Sequence, residues 1–298
     1  MKLKTSLSKI KELSLPIGIL FGFLFHTFLA KIFFITPWLV FSMLFITMSN
    51  IKIKEIRISS LIIVVILFQV IAGILLYLIL RQFNEILAQG AMIIIIAPMA
   101  TTAPVIANIL GAKISTMVSG TLLSNLTTAI IAPIYFSLVG IQTEIPFFQS
   151  FWNVLSKITP LIVFPLLLAI LLNRLMPKIS NNINEHKSVA IYLWVVSLSI
   201  VIGSTFNSIY KIDRSKMSIL FWMVIMSILI CAFQFAFGRL VGKRYGETVA
   251  GGQSIGQKNT VIAIWMAQTY MSPISSVIPA TYVLWQNLFN SYQLWQKK

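Results

Sequence analysis

Apolar runs of roughly bilayer-spanning length follow one another along the chain, separated by short basic or polar breaks. A hydrocarbon core about 30 Å thick takes about 20 apolar residues as a helix. On that measure the pattern predicts ten spans, at about 14–34, 36–50, 59–80, 88–111, 114–140, 152–175, 188–209, 217–240, 247–270 and 274–295. Pro16 and Pro37 stand at the start of the first two. The third carries one strongly polar residue, Gln69. The fifth is rich in hydroxyls and amides: Ser119, Thr121, Ser124, Asn125, Thr127 and Thr128. The tenth holds Gln286, Asn287, Asn290 and Ser291. Two runs contain stretches that a continuous membrane helix tolerates poorly. The fourth is interrupted within Ala97-Pro98-Met99-Ala100-Thr101-Thr102-Ala103-Pro104, with the break expected at Thr101 to Pro104. The ninth holds Gly251-Gly252-Gln253-Ser254-Ile255-Gly256-Gln257-Lys258-Asn259-Thr260, with its break expected from Gly256 to Asn259. The expected fold class is an all-α integral membrane protein.

Composition agrees with the pattern. The chain has 298 residues, 58% hydrophobic and 10% charged, with a formal charge of +16. Soluble domains carry about 25% charged residues. The basic residues gather at the ends of the runs, and no basic face with interleaved aromatics points to nucleic acid. Of the 23 Lys and Arg residues, Lys258 is the only clearly mid-membrane charge apart from Lys31. Arg81, Lys157, Lys211, Arg214 and Lys216 fall on one side of a ten-span arrangement, and all the others share the side of the termini. The positive-inside rule then makes both termini cytoplasmic, in the inner membrane. The stretch from Met1 to Glu12 reads as a basic lead-in, with no cleavage site after the first run. A lone Cys231 excludes an intramolecular disulfide and a multi-cysteine metal site. With no nucleotide loop, catalytic triad or paired intramembrane carboxylates, the expectation is a non-enzyme without cofactor or metal. Trp152 and Trp295, near run ends, read as interface anchors.

The two broken runs belong to an internal repeat. Pro104-Val105-Ile106-Ala107 and Thr260-Val261-Ile262-Ala263 each follow a break. An amide-bearing run comes next in both halves, with Ser124-Asn125-Leu126 in one and Gln286-Asn287-Leu288 in the other. Five spans per half is odd, so the second half enters the membrane from the opposite side, as in inverted-repeat transporters. A mid-membrane break frees backbone donors and acceptors that hydrocarbon cannot satisfy. Helix N-termini at such breaks suit an anion. Lys258 stands out, because every acidic residue falls in a loop or at a run end. A buried ammonium must meet an anionic ligand, a wet cavity or freed carbonyls, or else titrate. Lys31 is near a run end and can snorkel. His26 reads as hydrogen-bonded structure before proton relay.

With these residues in view, the chain resembles the bile acid:sodium symporter family along nearly its whole length. The family's ninth-helix Glu-Val-Gly-Met-Gln-Asn-Ser aligns with Gln253-Ser254-Ile255-Gly256-Gln257-Lys258-Asn259. Its fourth-helix Pro-Gly-Gly-Thr-Ala-Ser-Asn aligns with Pro98-Met99-Ala100-Thr101-Thr102-Ala103-Pro104. Its tenth-helix Trp-His-Asn-Leu aligns with Trp285-Gln286-Asn287-Leu288, and its third-helix glutamine with Gln69. The second-helix end resembles Met43-Leu44-Phe45-Ile46-Thr47-Met48. The resemblance implies ten helices in two inverted five-helix repeats, with crossed discontinuous helices 4 and 9. It divides a single transporter domain, 1–298, into panel-type helices at about 14–50 and 152–187 and core-type helices at about 59–140 and 188–295. The core group would rock against the panel group.

The departures are chemically coherent. The positions that the resemblance assigns to sodium are Gln69, Ala103, Pro104, Met117, Thr121, Gln253 and Gln257. The family's glutamate falls on Gln253, its serine-asparagine pair on Ala103-Pro104, and one serine on Met117. Thr121 is kept, and the asparagine beside Gln257 becomes Lys258. A carboxylate is lost and a cation gained, so sodium is not expected as a partner and Lys258 would supply its charge. The function implied is secondary transport of an organic anion, a small carboxylate or bile-acid-like molecule. Coupling to protons and uniport both stay open. Thr101, Thr102, Asn125, Lys258, Asn259, Thr260, Gln286 and Asn287 are the candidate substrate contacts. The competing readings are a non-transporting receptor on the same scaffold and an efflux carrier of the arsenite or auxin type. Arsenite carriers depend on a cysteine near the fourth-helix break, from which Cys231 is remote.

Overall fold

The computed structural model describes residues 15–49, 56–139, 145–186, 188–213 and 217–297. The basic lead-in to Glu12, together with Lys52, Lys54, Glu55, Glu144, Lys187, Arg214, Lys216 and Lys298, lies outside the described residues. Every described element is helical. In order they are α1 (Leu15–Leu24), α2 (His26–Lys31), α3 (Thr36–Met48), α4 (Ser60–Leu80), α5 (Glu85–Ile96), α6 (Ala103–Ile109) and α7 (Ile114–Val139). Then come α8 (Phe147–Leu175), α9 (Pro177–Glu185), α10 (Val189–Tyr210), α11 (Ser218–Arg244), α12 (Thr248–Gly256), α13 (Thr260–Tyr270) and α14 (Val277–Gln296). Five of them, α4, α7, α8, α10 and α11, are long and apolar enough to cross a membrane. Their lipid-length apolar surfaces stay outward: Leu67, Leu75, Phe221 and Phe233 are all exposed. Trp152 and Trp295 are exposed as well.

Local chemistry sets the helix starts. The Ser59 hydroxyl accepts from Ile62 N at the head of α4, and Asn84 Oδ1 accepts from Leu87 N at the head of α5. Such caps satisfy donors that the first helical turn leaves free. Pro37 sits in the first turn of α3, where a missing N–H costs nothing. The first run is interrupted at Phe25, yet Phe25 N still donates to Phe21 O and Leu29 N to Phe25 O. Its hydrogen-bond ladder therefore carries through. The short α9 was not expected. Its Ser180 hydroxyl donates to Ser49 O at 2.9 Å, behind the end of α3.

The helices gather into two compact units. The first takes the described parts of Met1–Asn50 and Pro165–Ile212, and the second those of Ile51–Phe164 and Asp213–Lys298. In the first, α10 packs on α2 and α3. Gly203 makes this possible, since a Cβ there would sit 2.7 Å from Leu29 Cβ. Small residues on α10 and α1 let these helices approach each other, a pairing that hydropathy does not encode. The second unit holds both interrupted helices. Its α5 is buried from Leu87 to Ile96, and α13 from Thr260 to Ala267. There α11 and α12 pack backbone to backbone: a Cβ on Gly238 or Gly251 would collide with the other's carbonyl oxygen.

Candidate functional site

The site forms where two helices of the second unit stop and restart. α5 runs as Ile93-Ile94-Ile95-Ile96 into Pro98, which has no N–H to continue the ladder. The residue before a proline is pushed out of the helical region, and Ala97 takes φ −53°, ψ 141°. The unwound residues are therefore 97–102. This corrects the expected break at Thr101 to Pro104, because Ala103 and Pro104 already belong to α6. Proline suits that first turn for the reason given at Pro37. The second break matches expectation. α12 ends at Gly256, Gln257 is extended at φ −96°, ψ 102°, and Asn259 caps α13 by accepting from Ile262 N.

The two breaks bond to each other. Ala100 N donates to Gln257 O at 3.0 Å, and Asn259 N donates to Pro98 O at 2.8 Å. Met99 and Lys258 thus face each other in an isolated antiparallel bridge. The outward N–H of each bridge residue finds a side chain on the helix that comes after its own broken pair, α7 for Met99 and α14 for Lys258. Met99 N donates to Ser124 Oγ at 2.9 Å, and Lys258 N donates to Gln286 Oε1 at 3.0 Å. The next residues also correspond. Asn125 Nδ2 donates to Thr121 O and Asn287 Nδ2 to Val283 O, both at 2.7 Å. Ser124-Asn125 and Gln286-Asn287, aligned by sequence, perform the same bonding at the two breaks.

The freed carbonyls are satisfied differently. At the end of α5, Ile96 O accepts from Gln69 Nε2 and Thr128 Oγ1, each at 2.9 Å. Ser124 Oγ holds Gln69 by donating to its Oε1 at 2.7 Å. The Lys258 ammonium takes the carbonyls on either side, donating to Ile95 O at 2.7 Å and Ala97 O at 3.1 Å. At the end of α12, the Tyr282 hydroxyl lies 2.7 Å from Gly256 O and 2.6 Å from Gln234 Oε1. If the Gln234 amide turns so that its nitrogen donates to Tyr282, the hydroxyl proton goes to Gly256 O and both groups are satisfied. Tyr282 and Gln234 were not singled out from sequence. An amide within the apolar run 217–240 was the available signal for Gln234.

Lys258 is 2% exposed, and the partners of its ammonium are neutral carbonyls. Burial of an ion costs several kcal/mol after relaxation. Two charge-assisted bonds return about 1.5–3 kcal/mol each. The negative end of α5 adds up to about 2 kcal/mol in a buried geometry. These magnitudes are of the same order, so carbonyls at a helix C-terminus can hold an ammonium without a carboxylate.

The positions tied to sodium by resemblance are not one cluster of oxygens. Thr121 Oγ1 lies 3.1 Å from Met99 Sδ and 2.9 Å from Met117 O. Ser254 Oγ donates to Met117 Sδ at 3.6 Å. Ala103 is buried beside Met99 and Met117 in one apolar cluster, and Pro104 is part-buried in α6. Gln253 Nε2 donates to Asn290 Oδ1 and Gln293 Oε1, whereas Gln257 Nε2 donates to Thr102 Oγ1 at 3.2 Å. Of the candidate substrate contacts, Asn125, Lys258, Asn259, Thr260 and Gln286 are buried. Thr101 and Asn287 are half-buried, and Thr102 is exposed. The N–H groups of α6 are already used: Ala103 N donates to Ala100 O, and Val105 N and Ile106 N donate to Thr102 O. Hydroxyls, rather than the α6 N-terminus, are what this break presents. His26 stacks on Tyr210 with ring centroids 4.6 Å apart. Cys231 is buried in α11. Among the described residues, no group of three or more His, Cys, Asp or Glu could hold a metal ion.

No protein-family model matches this chain, and no curated protein matches it in sequence.

Proposed function

We propose that this chain is a ten-span secondary transporter of an organic anion, with both termini cytoplasmic and with Lys258 in place of a mobile alkali cation. On this reading it is a divergent relative of the bile acid:sodium symporters. The observation that carries the reading is the Lys258 ammonium on Ile95 O and Ala97 O, at the meeting of two discontinuous helices. A cation bound by backbone carbonyls at a helix C-terminus does what an alkali ion would do there, but it cannot leave. The sulfurs of Met99 and Met117 support the same conclusion. A hard cation wants several oxygens, and here hydroxyls turn toward thioethers instead. The matched bonds of Ser124 and Gln286 support the inverted repeat. The ten spans are then α1 with α2, α3, α4, α5 with α6, α7, α8, α10, α11, α12 with α13, and α14.

The substrate's acid group meets the hydroxyls of Thr101 and Thr102, with Gln257 behind them and the fixed charge of Lys258 drawing the anion in. Transport exposes this region alternately to the two sides. The test is uptake of radiolabelled carboxylates into proteoliposomes. The expected result is uptake that is equal in sodium and choline media and is abolished by Lys258→Ala. Uptake that rises with sodium would contradict the fixed-cation reading. Tight anion binding without uptake would point to a receptor.

A further inference from the structure

Gln253, Asn290 and Gln293, between α12 and α14, have no part in the bonds that join the two breaks. Asn290 and Gln293 follow Gln286 at intervals of four and three residues, so the three share one face of α14. Gln253, fully buried on α12, donates through Nε2 to Asn290 Oδ1 at 3.0 Å and to Gln293 Oε1 at 3.3 Å. These amides bridge two helices that both pack on α11. The pair is incompletely bonded on both sides, since Gln253 Oε1 and Asn290 Nδ2 are buried without a hydrogen-bond partner. Gln257 Oε1, four residues on from Gln253 and in the break, is in the same condition. A dry interface would lose the desolvation cost of each such group, about 1–3 kcal/mol. A strip with one free donor and two free acceptors suits water, which makes two to four bonds where polar partners converge. The strip also has an outlet, because Gln293 is half-buried one turn from the end of α14.

From this geometry we infer that the α12–α14 seam is a hydrated path. It leads from the C-terminal end of α14, past Gln293, Asn290 and Gln253, to the break at Gln257 and Lys258. Its ligand is water, held by Gln253 Oε1 and Asn290 Nδ2. The seam gives the break aqueous contact from one end of the second unit, separate from the Thr101–Thr102 face. The inference rests on the seam alone and does not require that the chain transport an anion.

Thiol accessibility tests it. The parent chain serves as the blank, since its single cysteine, Cys231, is buried. In detergent, Gln293→Cys, Asn290→Cys and Gln253→Cys are treated with a small charged thiosulfonate, which reacts only where the thiol meets water. All three are expected to react, while Leu288→Cys, on the exposed apolar face of α14, stays inert in its detergent shell. Reaction at Gln293→Cys alone would overturn the inference. A second measurement covers variants that fail to fold. In a hydrated seam Asn290→Asp keeps a melting temperature at or above that of Asn290→Leu. Folding of the leucine variant without the aspartate variant would mean that the seam is dry.

Discussion

The two breaks use matching bonds to align their strands and unlike bonds to finish their helices. Ser124 and Gln286 are equivalent, each accepting the N–H of a bridge residue. The C-terminal ends are not. α12 ends on a neutral phenol, Tyr282, whereas α5 ends on an amide, a hydroxyl and an ammonium. That ammonium belongs to the other break. Neutral groups are enough to satisfy carbonyls, as Gly256 shows, so capping alone does not explain the lysine. The difference between the ends is charge, and it concentrates at the α5 terminus, beside the accessible Thr101 and Thr102.

This contrast can be broken in order of size. Lys258→Met leaves Ile95 O and Ala97 O without donors, and is expected to lose about 2–4 kcal/mol in equilibrium unfolding. Lys258→Ala leaves room as well as need, so ethylammonium should raise the melting temperature of that variant and not of the parent. If no small cation helps, Lys258 is not acting as a tethered ion. Gln69→Leu removes donors to Ile96 O and Thr128 and should lose about 2 kcal/mol by the same measurement. Tyr282→Phe should lose about 1 kcal/mol, since only neutral bonds go. Ser124→Ala and Gln286→Ala come last, near the average of about 0.6 kcal/mol for interhelical bonds in membranes. Ser124→Ala also removes the donor to Gln69 Oε1, so the two losses need not be equal, but the absence of any loss at either position would undo the equivalence of the two breaks.

Much of this architecture was legible because hydropathy and proline act locally. Each expected apolar run is occupied by helix, and the second break falls where Gly256 and Asn259 place it. The first break lies earlier than its residues suggested. Pro98 stops α5, but Pro104 starts α6, and a proline near a break reads the same either way until the helix direction is known. The packing of α10 on α2 was not legible, because glycine contacts such as Gly203 on Leu29 depend on which helices meet. The partners of Lys258 were foreseen as one of four kinds. That they are Ile95 and Ala97 could not be, since no local rule links residues so distant in the chain. Tyr282 was missed because an aromatic residue in an apolar run usually means packing or an interface.

The most direct test of the fixed-cation account is a sodium titration of the purified wild-type protein, followed by thermal unfolding at constant ionic strength with choline as the exchanged ion. An ion that binds only the folded state must raise the melting temperature. The account predicts no shift in the wild type, because Lys258 already occupies the α5 carbonyls. A sodium-specific rise in the wild type would contradict it.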